Sequence, residues 1–340
     1  MASERIAVLN AGGWGTALAC LLARNGHAVA LWVRRAEQAR QLAERRENPL
    51  YLPGVRLPER VVPTADLTAA VDGCRVVVVA AITRGLAPLA AALEPLLPPD
   101  ATVLVATKGL EEETWRRPTE VLAAALGARF AGPLAVLGGP THAEEVARGL
   151  PTAAVIAAHD PAAAARLQQL LGAPHFRLYT SADVVGVELC AATKNVIALA
   201  AGIGDGLGSG DNGKAALLTR SLAELSRLVQ AYGGQAATVA GLAGVGDLIG
   251  TCTSRLSRNR WAGEQLGRGR PLREILAATP MVVEGVPATR GVVALARARG
   301  VELPICEAVY RVLYEGQAPA AALRDLLARP PRPEVPLRFP

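Results

Sequence analysis

The sequence predicts an α/β protein in which a doubly wound parallel sheet is followed by a mainly α-helical domain. Two patterns predict this fold. In the first half, short apolar runs alternate with helical periodicity, and such continuous runs are typical of parallel strands covered on both faces. From about Ala182 the runs give way to long helical segments, which favour a helical second domain. The strand-like runs are RIAVLN, AVALWVRR, RVVVVAAI, ATVLVATKG, LAVLGGP and TAAVIAAH.

The length of 340 residues favours two domains rather than one. We predict a first domain over residues 1–181, a helical domain over 182–330 and a Pro-rich tail over 331–340. The first predicted helix runs from Trp14 to Arg24. The later predicted elements are helices over 182–204, 213–232, 257–267, 287–299 and 305–315, and one short strand over 281–286.

The composition is typical of a compact globular enzyme. Hydrophobic residues make up 51% of the chain and charged residues 19%, which excludes a disordered chain. The net charge of +6 is spread along the sequence, and aromatic residues make up only 4%. Because few rings are available to stack on bases, the positive charge favours small anionic ligands over nucleic acid.

The five cysteines lie far apart and show no paired spacing for a metal or a disulfide framework. We therefore expect a reduced, cytoplasmic protein without a metal site. The first residues run directly into a strand, which leaves no room for an export signal. The longest uncharged stretch, residues 228–246, is interrupted by five glycines, so no stable membrane insertion is expected.

The stretch Asn10-Ala11-Gly12-Gly13-Trp14-Gly15 joins the first predicted strand to the first helix. It approximates the G-x-G-x-x-G turn of Rossmann-type dinucleotide-binding domains, in which the three glycines form the turn, admit a pyrophosphate and allow close packing. Asn10 replaces the first glycine. Asparagine tolerates positive φ, so the turn can be kept, although a glycine-rich turn without a ligand is the alternative.

The second predicted strand ends in Arg34-Arg35. NAD-preferring sites commonly place an acidic residue at this point, whereas arginine suits the 2′-phosphate of NADP. The pair therefore favours NADP(H) over NAD(H) as the cofactor, with NAD(H) use still open. A solvated basic turn is the alternative.

Two lysines occupy positions that favour a role in ligand binding or catalysis. Lys108 follows the strand ATVLVAT, and ligands bind at the carboxyl ends of strands in doubly wound sheets. Lys194 lies within an apolar helical stripe, so it either extends to the surface or faces a cleft. In a cleft, loss of solvent would lower its pKa toward the range of a general acid or base. For Lys108, the alternative is an ordinary surface lysine.

The segment SRLSRNR reads as a helix start with a cationic fork, and Arg258 with Asn259 could bind a phosphate there. We assign Arg255 and Arg260 to an ordinary charged face, which is also the alternative for Arg258. Asp247 has apolar and glycine neighbours. A buried carboxylate needs a partner such as a lysine, and a helix cap is the alternative.

Seven stretches occur in a fixed order over almost the whole chain, and together they resemble the bacterial-type NAD(P)-dependent glycerol-3-phosphate dehydrogenases. Three departures stand out: Asn10 for glycine, His142 for phenylalanine, and residues 81–83 for a Val-Pro-Ser stretch. None removes a charged catalytic group. The stretches are NAGGWGTALA, NPLYLPG, ATKGLE, GGPTHAEEVARG, ELCAATKNVIALAAGIGDGLGSGDNGKAAL, GVGDLIGTCTSRLSRNR and VVEGV.

The resemblance implies roles at matching positions, with Lys194 as the proton donor or acceptor, Asp247 as its partner and Lys108 as a third catalytic candidate. The implied substrate contacts are Lys108, Gly139, Thr141, Lys194, Asp247, Ser257, Arg258 and Asn259. The predicted cofactor contacts are Asn10, Gly12, Gly13, Trp14, Gly15, Arg34, Arg35, Lys108, Ala143, Arg258, Val282 and Glu284.

The resemblance also implies the reaction, hydride transfer between NAD(P)H and dihydroxyacetone phosphate, giving glycerol 3-phosphate for glycerophospholipid synthesis. One rival is a dehydrogenase of the same plan acting on 6-phosphogluconate or ketopantoate, which would call for a separate carboxylate clamp that we do not locate. Another is a non-catalytic NADPH sensor, which would have no need of Lys108 and Lys194. The sequence leaves the oligomeric state open, with a homodimer as one option.

Overall fold

The computed structural model describes residues 3–279, 281–331 and 334. The chain divides into two compact units. The first comprises the described residues up to 111 and residues 116–184, and the second comprises residues 112–115 and those from 185 onward.

The first unit is built on a sheet of eight strands within the described part of the chain, in the order β10-β9-β8-β7-β6-β1-β2-β5. All neighbours pair in parallel except β8 and β9, which are antiparallel. A separate hairpin pairs β3 with β4. The strands are β1 (Arg5–Leu9), β2 (Ala28–Trp32), β3 (Glu47–Asn48), β4 (Leu52–Arg56), β5 (Val61–Thr64), β6 (Val76–Val79), β7 (Thr102–Val105), β8 (Leu134–Gly138), β9 (Thr152–Ala158) and β10 (Phe176–Ser181).

Helices cover this sheet and bury its central strands. All four residues of β6 and of β7 are buried, as expected for strands with helices on both faces. The strand order reverses between β1 and β6, which places a topological switch point at the carboxyl end of β1. The helices are α1 (Gly13–Arg24), α2 (Ala36–Arg45), α3 (Leu67–Val71), α4 (Leu86–Leu93), α5 (Pro118–Leu126), α6 (Ala143–Ala147) and α7 (Pro161–Leu171).

The second unit is helical, and the predicted fold class is confirmed. Its first helix is long and apolar enough to cross a membrane, but 94% of its most apolar window is buried inside the protein, as in the core helix of a globular domain. A π-helical turn over Leu242–Gly246 precedes the fourth helix. The helices are α8 (Val184–Gly206), α9 (Gly210–Ala231), α10 (Ala236–Ala240), α11 (Asp247–Thr253), α12 (Arg258–Gly267), α13 (Leu272–Ala277), α14 (Gly285–Ala298), α15 (Pro304–Tyr314) and α16 (Pro319–Leu327).

The strand predicted over residues 281–286 is wrong. Val282 and Val283 lie in an irregular segment, and Gly285 already begins α14. The Gly285 N–H donates to the side chain of Asn259 rather than to a neighbouring strand. A short apolar run becomes a strand only where a partner strand supplies its hydrogen bonds.

The structure also contains elements that the apolar runs did not indicate. They are the edge strands β5 and β10 and the β3–β4 hairpin. All but residues 331 and 334 of the predicted Pro-rich tail lie outside the described residues.

Candidate active site

The loop after β1 has the backbone geometry of a dinucleotide-binding turn. Asn10 has a φ of 87°, its N–H donates to Trp32 O and its side-chain amide donates to Ala80 O at 3.1 Å. A Cβ atom on Gly15 would overlap the carbonyl oxygen of Asn10, so this position requires glycine for close strand–helix packing. Asn10 thus makes the turn and also joins the ends of β1 and β6.

The same loop leaves room for an anionic ligand. A Cβ atom on Gly12 would have only the Asn10 amide nitrogen nearby, at 3.6 Å, so the space beside Gly12 is open. Gly12 is also the N-cap of α1 and supplies no capping side chain, which leaves first-turn N–H groups for a ligand. Within the described part of the chain, the buried Nε1 of Trp14 has no hydrogen-bond partner. These residues fit the pyrophosphate of NAD(P).

Sequence reasoning missed the residues that support this loop. The buried Asn48 amide donates to Ala11 O at 2.9 Å and to Thr16 Oγ1 at 2.8 Å. Gly13 packs against the same segment, since a Cβ atom there would lie 2.8 Å from Tyr51 O. The available signal was Asn48 itself, a polar residue in the NPLYLPG stretch. Its hydrogen-bond partners are distant in the sequence, so a local pattern does not indicate them.

Lys108, Gly139 and Thr141 come together at the carboxyl ends of β7 and β8. The Lys108 ammonium donates to Gly139 O and to Thr141 Oγ1, both at 3.1 Å. Gly139 has a φ of +116°, a conformation that favours glycine. The geometry thus groups three of the predicted substrate contacts around one ammonium group.

The remaining predicted cofactor residues of the first unit lie at the same edge of the sheet. Arg34 and Arg35 follow β2, and both side chains are exposed. Neither has an ion-pair partner among the described residues, so both guanidinium groups are accessible to an anion. Ala143 begins α6, and its Cβ would contact a Cβ on Gly13 at 3.7 Å.

In the second unit, Lys194 is the centre of a buried polar cluster. Its side chain is 8% exposed, and its ammonium donates to Asp247 Oδ1 at 2.5 Å and to Thr251 Oγ1 at 3.0 Å. Asp247 directly follows the π-helical turn within the helical segment Leu242–Thr253, and its side chain is buried. The proposed pairing of Lys194 with Asp247 is therefore present in the structure.

Thr251 was missed by sequence reasoning. It lies one helical turn after Asp247, so the two side chains reach the same ammonium group. A polar residue four positions after a buried carboxylate on one helix was the available signal.

The start of α12 carries the predicted phosphate clamp. Ser257 is the N-cap, and its Oγ accepts the Arg260 N–H at 3.2 Å. Arg258 is exposed, and its guanidinium donates to Val282 O at 3.0 Å. The clamp thus combines an accessible guanidinium with the N–H groups of a helix N-terminus, a combination that suits a phosphate.

Asn259 is buried, and its side chain forms hydrogen bonds with other residues of the protein. Its amide nitrogen donates to Asn195 Oδ1 and its oxygen accepts the Gly285 N–H, both at 2.9 Å. The backbone N–H in the first turn of α12 is the group that Asn259 can offer to a phosphate. Asn195, which sequence reasoning missed, follows Lys194 directly.

Glu284 lies beside this contact, half-buried, at the N-cap of α14. Burial raises its pKa to about 7, the Arg258 guanidinium opposes this shift, and Glu112 adds to it. The side chain can therefore donate or accept a hydrogen bond near neutral pH.

The assignment of Arg260 to an ordinary charged face is wrong. Its guanidinium is 17% exposed and bonds Asp205 Oδ2 at 2.6 Å, and its Nε donates to Ser254 O. The helix start turns Arg260 toward α8, whereas Arg255 is exposed. The position of the partner Asp205, 55 residues earlier, could not be read locally.

A doubly wound domain with an open glycine turn, followed by a helical unit with a buried lysine–aspartate pair, is the plan of a nicotinamide-dependent dehydrogenase. The family models narrow this class. Residues 5–164 match the N-terminus of the NAD-dependent glycerol-3-phosphate dehydrogenases, and residues 183–324 match the C-terminus. The chain belongs to this family.

Individual proteins agree with the family models. The chain is 51% identical over 332 residues to a glycerol-3-phosphate dehydrogenase [NAD(P)+] of Moorella thermoacetica, with 98% of each chain covered. The crystal structure of glycerol-3-phosphate dehydrogenase from Coxiella burnetii superposes with a TM-score of 0.92 at 39% identity, covering 96% of this chain and 99% of that one.

One predicted rival shares the fold. A ketopantoate reductase from Ralstonia eutropha superposes with a TM-score of 0.58 at 18% identity, over 94% of this chain and 99% of that one. The two-domain plan is therefore common to both classes, and the specific site residues must distinguish them.

Proposed function

We propose that the chain reduces dihydroxyacetone phosphate to sn-glycerol 3-phosphate, with NADPH preferred over NADH. The observation that carries this proposal is the buried Lys194–Asp247–Thr251 cluster on the same helical unit as the Arg258 clamp. A bound NAD(P)H supplies a hydride to the carbonyl carbon. The chain's own residues must then bind the phosphate and protonate the resulting oxygen.

Lys194 is the proton donor in this proposal. Asp247 and Thr251 hold its ammonium group in place within the buried cluster. As the carbonyl oxygen of a bound ketone gains negative charge, the ammonium group stabilises that oxygen and transfers a proton to it. Asp247 orients Lys194 for that transfer.

Arg258 and the N-terminus of α12 hold the phosphate. The guanidinium is exposed and bonds only a backbone carbonyl among its described contacts, Val282 O, which a phosphate can replace. Ser257 uses its oxygen lone pair to cap α12, so its hydroxyl hydrogen is left to donate. Binding energy from the phosphate positions the carbonyl for reduction.

In the first unit, the glycine turn binds the cofactor pyrophosphate, and Lys108, Gly139 and Thr141 form a polar group at the carboxyl ends of β7 and β8. Arg34 and Arg35 support the NADPH preference, because two accessible guanidinium groups follow β2 where the 2′-phosphate of NADP is bound in such domains. We further propose that the protein is cytoplasmic, forms a homodimer and supplies glycerol 3-phosphate for phospholipid synthesis.

Reduction assays test both parts of this function. The purified chain should oxidise NADPH with dihydroxyacetone phosphate and not with ketopantoate, and the KM for NADPH should be lower than for NADH. The double variant Arg34→Ala/Arg35→Ala should lose most of this preference with little change in KM for NADH. Equal KM values in the unchanged chain would refute the NADPH preference, and activity on ketopantoate alone would refute the reaction.

A further inference from the structure

Helices α8 and α12 touch through four glycines, which we call the glycine seam: Gly202 and Gly206 on α8, Gly263 and Gly267 on α12. A Cβ atom on Gly202 would overlap Arg260 O, and one on Gly263 would overlap Leu199 O. A Cβ atom on Gly206 or on Gly267 would likewise overlap the backbone of the opposite helix. The spacing of four places each pair on one helix face, so the two backbones are in direct contact.

An ion pair joins the same two helices. Arg260 Nη1 and Asp205 Oδ2 are 2.6 Å apart, and Lys214 on α9 lies 2.6 Å from Asp205 Oδ1. Asp205 is in the last turn of α8 and Arg260 in the first turn of α12, so each charge is disfavoured by the dipole of its own helix. Arg260 Nη1 also lies 3.7 Å from Glu264 Oε2 on its own helix, but its shorter contact, at 2.6 Å, is the one to Asp205 on α8.

These helices carry the two charged groups of the proposed reaction. α8 bears Lys194, and the first turn of α12 bears Arg258. The Asn195–Asn259 hydrogen bond connects α8 and α12 next to Lys194 and Arg258 in the sequence. The glycine seam connects the same two helices farther along. Because helices move as rigid rods, a change in their separation at the seam moves Arg258 relative to Lys194.

We propose that the glycine seam and the Asp205–Arg260 pair set the distance between the Lys194 ammonium and the Arg258 guanidinium. This inference rests on the proposed function. The distance selects substrates whose carbonyl and phosphate are separated by the length of dihydroxyacetone phosphate. The seam glycines and Arg260 are thus positioning residues, and none of them needs to touch the substrate.

The test compares Gly202→Ala with Gly204→Ala on the same helix. A Cβ atom on Gly204 would meet only the Ser209 side chain, at 3.7 Å, so this control adds a methyl group without moving α12. The substrates are dihydroxyacetone phosphate and dihydroxyacetone, which lacks the phosphate and does not use the clamp. Thermal midpoints, the dissociation constant for NADPH and the thermal shift caused by inorganic phosphate are measured alongside.

Gly202→Ala should lower kcat/KM for dihydroxyacetone phosphate by about 10- to 100-fold, as expected for a misplacement near 1 Å. Three other quantities should stay within about threefold of the unchanged chain: kcat/KM for dihydroxyacetone, the dissociation constant for NADPH and the thermal shift with inorganic phosphate. Each of them depends on one part of the site and not on the distance between two parts. Gly204→Ala should match the unchanged chain on both ketones.

Arg260→Lys and Arg260→Met provide a second arm if Gly202→Ala does not fold. Arg260→Met should show the same loss confined to the phosphorylated ketone, and Arg260→Lys, which keeps the charge, should recover part of it. Folded variants of either kind that keep kcat/KM for dihydroxyacetone phosphate, or lose equally on both ketones, would overturn the inference. An unchanged chain that does not reduce dihydroxyacetone phosphate would instead refute the proposed function.

Discussion

The predicted pyrophosphate contact of the first unit consists mainly of backbone groups, whereas the predicted catalytic cluster of the second unit consists of ionised side chains and a hydroxyl group. Around Gly12, the open space and the first-turn N–H groups of α1 form the predicted cofactor contact. Around Lys194, an ammonium group is held by Asp247 and Thr251. Backbone groups bind a cofactor without changing protonation, while a buried ammonium group can transfer a proton. Substitutions in the two units should therefore alter different kinetic quantities.

The largest effect is expected for Lys194→Met, which removes the ammonium group and keeps most of the side chain's packing. The kcat should fall by about 10²–10⁴-fold, the usual contribution of a positioned general acid. The dissociation constant for NADPH should change little, and Lys194→Arg should rescue little, since guanidinium is a weak acid. Stopped-flow kinetics and fluorescence titration with NADPH measure the two quantities.

A control is needed because Lys194→Met leaves the Asp247 carboxylate buried without its cation, which costs about 3–5 kcal/mol in such pairs. The double variant Lys194→Met/Asp247→Leu removes both charges and should recover the thermal midpoint without activity. More than a tenth of the kcat in a folded Met variant would remove Lys194 from the mechanism and make Lys108 the leading candidate.

The next effect is expected for Arg258→Ala. Loss of a charge-assisted hydrogen bond is worth about 1.5–3 kcal/mol, so KM for dihydroxyacetone phosphate should rise about 10- to 100-fold, with some loss of kcat. Turnover of dihydroxyacetone should be much less affected. Arg255→Ala, at an exposed position on the same segment, is the matched control. Equal losses on both ketones would indicate a structural or cofactor-binding arginine.

Substitutions of Asn10 test the role of the backbone turn in the first unit. Asn10→Val should weaken NADPH binding by about tenfold, because a β-branched residue is disfavoured at a φ of 87° by roughly 1–2 kcal/mol and the bond to Ala80 O is lost. Asn10→Gly should be tolerated, since glycine reaches this φ freely. Isothermal titration with NADPH measures the difference. Normal binding by the valine variant would mean that position 10 has no special role in the turn.

The smallest effect concerns pH and Glu224, a buried side chain of α9 that accepts the N–H groups of Ile305 and Cys306. Burial raises its pKa to about 7. The folded chain therefore retains this proton to higher pH than the unfolded chain, so the free energy of unfolding falls as pH rises from about 4.5 to about 7. Glu224→Gln should reduce this fall and leave kcat unchanged.

Thermal midpoints of Glu224→Gln between pH 5 and pH 8 measure this effect, with Glu315→Gln at an exposed position as the control. Glu284, whose pKa burial also raises to about 7, keeps part of the dependence in the variant. The same pH dependence in Glu224→Gln and the unchanged chain would show that Glu224 does not contribute.

The amino-acid sequence by itself determined the features that depend on neighbouring residues. The apolar runs indicated six of the strands because helix-covered strands are apolar along their whole length. The turn at Asn10 was readable because asparagine and glycine are the residues that reach positive φ. The motifs around Lys194 and Arg258 indicated the family for the same reason, since each is a short, ordered stretch.

Only the tertiary structure decided which distant residues meet. The sequence contains Asn48, Thr251 and Arg260, but their partners are fixed by packing between elements. The predicted strand at 281–286 failed because Gly285 bonds Asn259 and begins a helix. The same limit applies to the glycines of the seam. In the sequence they are helix-weakening residues, and only the contact between α8 and α12 explains why a side chain has no room there.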